Sequence, residues 1–268
     1  MEEKKRGNGI FLGVVAVATL IVAIIGATFA YFSITAQSAN NAVNLSAYEF
    51  TASLSVTPVA PTGTFKGLIP MDPDAVVTNG GGATNLAYAI NTATNTCVDS
   101  NGYQVCALYR LRFENTSTEP MTLTGTLKTT TNNAATETVE DPQNSGQTIT
   151  QVKSGRTAFT DLKVRTATYA NNTYTFDTET DPENANNTIT FERDVPDAVD
   201  GTEGIGSVTV QASSTADVYI VVFLDGTDDG TPSGVDQSAQ MGATYEGQLI
   251  YVSGSGNQLT GTFTIAGP

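Results

Sequence analysis

Few residues in this chain could do chemistry, and three groups of them have spacing worth weighing. Cys97 and Cys106 bracket the stretch CVDSNGYQVC. Its Asn101-Gly102 dipeptide is a tight-turn signal, so the two sulfurs should face each other across a hairpin. An even cysteine count in an exported chain then favours a disulfide over two buried thiols. A second group lies in DGTDDGTPSGVD, residues 225–236. Asp225, Thr227, Asp229, Gly230, Thr231, Ser233 and Asp236 fall where a calcium loop places its oxygen ligands and its sharp glycine turn. Ca2+ is the one cofactor the sequence suggests. Pro232 replaces the usual β-branched residue, Asp236 replaces the usual glutamate, and a strand precedes the loop; the plain alternative is an acidic solvated turn. A third group, DVPDAVDGTEG at 194–204, gathers carboxylates of the kind a glycosidase would pair. Nothing in the sequence fixes their separation, and the chain has no tryptophan to stack on a sugar.

The absences narrow the chemistry further. The chain contains no histidine, so imidazole acid–base catalysis, Ser-His-Asp triads and the commonest transition-metal ligand are all excluded. The formal net charge is −15 over 268 residues, with no basic patch, so phosphate backbones would be repelled and nucleic acid is not an expected partner. These residues predict a protein that is not an enzyme.

The elements that would position such groups read as short and β-prone. Strand candidates are 48–56, 103–113, 121–128, 158–169, 187–192, 206–213, 217–226, 245–253 and 259–267, separated by Gly, Asn, Asp and Pro. Tyr109, Leu111 and Phe113 alternate with polar residues, which puts one face on a core. Residues 57–84 and 129–155 read as polar surface insertions. The expectation is one all-β sandwich domain over residues 47–268, with long polar loops.

Ahead of it, residues 10–32 form an uncharged apolar run after MEEKKRGNG. Small residues Thr28 and Ala30 sit at −3 and −1 of a cut before Tyr31, as in an export signal spanning residues 1–30. The same run is long enough to span a bilayer as a retained helix. A pilin-type leader cut after Gly7 or Gly9 is a third reading. Any membrane contact is expected only through this segment, and signal peptidase would be a partner during export.

GATFAYFS at the leader end, YRLRFENTSTEPMTLTGTL (109–127), and VYIVVFLDG with MGATYEGQLIYVS (218–226 and 241–253) resemble the TasA/camelysin family of secreted biofilm-matrix fibre proteins, which carry SipW-type leaders. That resemblance covers the leader and about a third of the body. It implies a jelly-roll β sandwich at the cell surface or outside the cell, whose subunits polymerise by lending an N-terminal strand to a neighbouring copy. Residues 31–46 would be that donor segment. Strand donation is main-chain pairing across an open sheet edge, and Ile34, Val43 and Leu45 would add side-chain burial. The rival readings are a pilin-like filament subunit that keeps its apolar helix and a membrane-anchored surface adhesin.

Overall fold

Alternating and continuous apolar runs build two different kinds of strand here, and together they make three layers. The computed structural model describes residues 52–61, 67–74, 85–182, 184–185, 187–227 and 237–266. The chain divides into Met1–Asn41, which lies outside the described residues, and Ala42–Pro268, which carries the fold. In chain order the elements are β1 (Ala52–Ala60), helix α1 (Leu86–Ala89), β2 (Ile90–Asn91), β3 (Thr96–Cys97), β4 (Cys106–Asn115) and β5 (Met121–Asn133). There follow β6 (Thr136–Glu140), β7 (Thr148–Val152), β8 (Leu162–Ala170), β9 (Thr173–Phe176), β10 (Thr178–Thr180) and β11 (Thr188–Thr190). The last are β12 (Glu192–Asp194), β13 (Thr202–Val210), β14 (Ser214–Leu224), a 3-10 turn (Gln237–Gln240), β15 (Thr244–Ser253) and β16 (Gln258–Ala266).

Two antiparallel sheets face each other. One runs β1-β4-β14-β8-β12, with β9 also paired to β8; the other runs β13-β5-β15-β16. β2-β3, β6-β7 and β10-β11 are separate two-stranded ribbons. The all-β expectation is met, and the helical content among the described residues is slight. The pairings do not confirm a jelly-roll winding. Consecutive strands β4 and β5 meet consecutive strands β14 and β15. The order β1-β4-β14-β8 opposite β5-β15-β16 parallels the A-B-E-D and C-F-G sheets of immunoglobulin-type sandwiches, with β13, which follows β8 in the chain, added beside β5.

The main core lies between the sheets. Leu111 and Phe113 of β4, Leu123 and Leu127 of β5, Ile220 and Val222 of β14, and Leu249 and Tyr251 of β15 all point inward. Phe113 and Tyr251 meet edge-on with ring centroids 4.7 Å apart, a favoured aromatic geometry. Gly247 lets Phe263 cross the backbone of β15: a Cβ there would lie 2.6 Å from Phe263 Cζ and 3.0 Å from Leu127 Cδ1.

A second core sits on the outer face of the β1-β4-β14-β8 sheet. Cys106 and Leu108 of β4 and Val221 and Phe223 of β14 are covered there by Met71, Leu86, Ile90, Cys97 and Val105. This third layer explains why β14 is buried on both faces from Tyr219 to Leu224. Residues 57–84 were expected to be a surface insertion, yet β1 runs on to Ala60, and Leu68 and Met71 are core residues. Residues 129–155 are likewise more ordered than expected: they hold the end of β5 and the ribbon β6-β7. Its strands are polar and mostly exposed, so apolar periodicity had nothing to register.

Candidate functional site

The cysteine pair is joined. Cys97 and Cys106 form a disulfide with Cα atoms 5.4 Å apart, and the chain contains no other cysteine. The turn between them is built as its residue types require. Gly102 takes φ +84°, where a side chain would be strained, and the Asp99 carboxylate accepts hydrogen bonds from the N–H groups of Asn101 and Tyr103 at 2.9 and 2.8 Å. Both sulfurs are buried, so the bond ties the outer layer to the start of β4.

Of the calcium-loop residues, Asp225 and Thr227 are described; Asp229 and Asp236 lie outside the described residues. Asp225 Oδ1 accepts from the N–H and the hydroxyl of Thr227 at 2.9 and 2.7 Å, a local turn. Among the described residues no group of three or more His, Cys, Asp or Glu side chains converges as a metal site. Thr28, Ala30, Tyr31, Ile34, Val43 and Leu45 also lie outside the described residues.

The carboxylates of 194–204 go separate ways. Asp194 pairs with Lys163, Asp200 with Lys128 at 2.7 Å, and Glu203 with Arg193 at 3.6 Å. Asp197 is held above the ordinary carboxylate range by burial and by the neighbouring charges of Asp161 and Asp194. Asn115, which heads an Asn-Thr-Ser sequon, is 1% exposed and donates to the carbonyls of Glu119, Val210 and Gln211.

Sequence reasoning missed Arg165 altogether. On β8 its side chain is 4% exposed, yet it reaches two carboxylates: Asp74 at 2.9 and 2.7 Å and Glu192 at 2.8 Å. Phe176 and Phe223 flank its guanidinium at 5.7 and 5.5 Å. The available signal was a charge interrupting the buried run of KVRTA, where an unpaired cation would be costly.

The sheet edges differ in a way that bears on association. An edge strand offers unpaired main-chain groups, and proteins blunt such edges with proline, charge, bulges or short length. β1 carries Pro58 and an irregular register between Pro58 and Ala60. β12 has only three residues, Glu192, Arg193 and Asp194, and β9 has four. β13 breaks register between Gly204 and Ser207, with Gly206 at φ +85°. β16 has none of these devices. It is nine residues long, uncharged, proline-free and in unbroken register with β15. Its C-terminal end is engaged, since the Tyr109 hydroxyl donates to the Thr264 carbonyl at 2.6 Å and the Leu68 N–H donates to that of Ala266 at 3.2 Å, and at its middle Val56 and Leu54 of β1 pack against Gly261.

No protein-family model and no curated protein matches the chain. Among solved structures, a FixG-related protein from Vibrio parahaemolyticus aligns at TM-score 0.28 and 7% identity, over 81% of this chain and 95% of that one. The sporulation control protein Spo0M from Bacillus subtilis aligns at TM-score 0.23 and 8% identity, over 60% of this chain and 42% of that one. A family 123 glycoside hydrolase from Clostridium perfringens aligns at TM-score 0.26 and 12% identity, over 61% of this chain and 21% of that one.

Proposed function

We propose that this chain is an exported, non-enzymatic subunit of an extracellular fibre, and that residues 31–46 of one copy pair with the open edge of the next. The observation that carries the reading is β16, a long uncharged edge strand left unblunted while the other edges of both sheets are guarded. The Gln258 end of that strand, ahead of Gly261 where β1 packs, would accept the donor. The disulfide is in keeping with an oxidising compartment. The reading does not need the jelly-roll winding implied by the resemblance to the TasA/camelysin family, because an immunoglobulin-type sandwich also offers its edges to a donor strand. Strand addition joins unlike surfaces, and such contacts propagate into filaments when the rotation does not close.

The test uses two variants, both judged by electron microscopy and sedimentation. Deleting Tyr31–Leu45 should give a folded monomer that forms no filaments and binds the deleted segment as a peptide. Thr260→Lys, which places a gatekeeper charge on the edge, should keep the melting temperature within a few degrees and still abolish filaments. Filaments of unchanged diameter from either variant would overturn the reading.

A further inference from the structure

Among the described residues, the third layer covers the part of the outer face of the β1-β4-β14-β8 sheet around Cys106, Leu108, Val221 and Phe223. Beyond the third layer, Arg110 and Arg112 project from that face, because Leu111 and Phe113 between and beside them point to the core. Arg110 lies in register with Thr57 on β1 and Tyr219 on β14, and Arg112 with Ser55 and Asp217. Arg112 is already matched, through two hydrogen bonds of 2.8 Å to the Asp217 carboxylate. Arg110 makes no ion pair among the described residues. Its Nε is the one buried side-chain nitrogen or oxygen among them without a hydrogen-bond partner. An unmatched polar group of this kind calls for an explanation.

Beside Arg110 the fold gathers three tyrosines from three strands. Tyr174 of β9 lies with its ring centroid 4.6 Å from that of Tyr169 on β8 and 5.1 Å from that of Tyr219 on β14; Tyr169 and Tyr219 are 5.9 Å apart. Tyr219 is buried at the base of the cluster, whereas Tyr169 is 38% exposed. The patch therefore combines exposed aromatic surface, a guanidinium whose Nε has no hydrogen-bond partner among the described residues, and a neighbouring carboxylate. Within the patch Arg110 and Arg112 stand beside the Asp217 carboxylate, on a chain of net charge −15.

From this juxtaposition we infer that the Arg110–Tyr169–Tyr174–Tyr219 patch is a binding site for a carboxylated sugar, such as a uronic-acid unit of an acidic polysaccharide. The carboxylate goes to Arg110, whose planar fork suits it. The apolar face of the pyranose ring lies on Tyr169 and Tyr174, and ring hydroxyls reach Asp217 and the tyrosine hydroxyls. The overall negative charge does not forbid this, because at physiological ionic strength charges beyond about 8 Å are screened. An acidic peptide would satisfy Arg110 but would leave the tyrosine surface without use. This site does not use β16, so its test stands apart from that of fibre assembly.

The experiment titrates the purified full chain by calorimetry, with EDTA present to exclude metal bridging. The probes are oligogalacturonate, its methyl ester, a neutral cello-oligosaccharide and a poly-glutamate of matched charge. Oligogalacturonate should bind, and the other three should bind at least tenfold more weakly. Arg110→Gln and Tyr169→Ala, in proteins that melt as the parent does, should each weaken binding at least tenfold. Tyr169→Phe, which keeps the ring, should bind within about threefold of the parent. Absence of oligogalacturonate binding, unchanged binding by Arg110→Gln or Tyr169→Ala, loss of binding by Tyr169→Phe, or equal binding of poly-glutamate would each overturn the assignment.

Discussion

Single side chains in this sandwich are constrained most tightly where tyrosine and glycine meet the core. Burial pushes the Tyr109 hydroxyl up to about 12, against a smaller opposite effect of its hydrogen bond to the Thr264 carbonyl. Burial does the same to Tyr245, also to about 12, despite its hydrogen bond with Thr129. Because these folded values exceed the unfolded value near 10, the folded chain holds its protons longer than the unfolded one. The stability they contribute is therefore intact below about pH 10 and is lost as pH rises towards 12, by about 1.4 kcal/mol per pH unit for each group. Thermal melts followed by circular dichroism should show a plateau to about pH 9.5 and a steep fall above it, and Tyr245→Phe should make that fall shallower. At Gly247 the constraint is steric. Gly247→Ala must displace Phe263, which is 3% exposed, so it should destabilise the fold by about 1–3 kcal/mol in urea titrations. Neither effect is visible in the sequence, where Gly247 reads as one more glycine in a strand and Tyr109 as one more inward aromatic.

Among the elements, those with apolar alternation were legible from residue types alone. The candidates 103–113, 121–128, 217–226, 245–253 and 259–267 correspond to β4, β5, β14, β15 and β16, with ends shifted by a few residues. What stayed hidden was the outer layer, because its buried residues are scattered among proline, glycine and polar residues: Leu68, Met71 and Leu86 have no period to follow. The clue lay in the strands it covers, since YIVVFL in β14 has no polar alternate and a strand apolar on both faces needs a cover on each. The hairpin carrying the disulfide was legible because its turn chemistry is local. Replacing both cysteines by alanine should cost about 2–3 kcal/mol, the loop being short. Hydrogen exchange should show that loss of protection concentrated at residues 85–105, with β5 and β15 little changed. Uniform loss across both sheets would mean that the outer layer is not a separate unit of stability.

For the whole molecule, charge sets the kinetics of any self-association. A copy carrying −15 repels its twin, and that repulsion reaches about 10 Å at 0.1 M salt but only about 3 Å at 1 M. Filament growth, followed by light scattering, should accelerate with added salt and as the pH falls towards the isoelectric point. Formed filaments should survive high salt, since main-chain pairing and apolar burial hold them. Growth that slows with salt would point instead to charge-paired subunits. In such a filament each subunit would also be a link under tension. The Cys97–Cys106 bond short-circuits a stretch of nine residues across a 5.4 Å gap. At about 3.4 Å per extended residue, that withholds roughly 25 Å of slack from every copy pulled open. Oxidised subunits should yield shorter extension steps than reduced ones by that amount in single-molecule pulling, so the redox state of the surroundings would set how far the material can stretch before it fails.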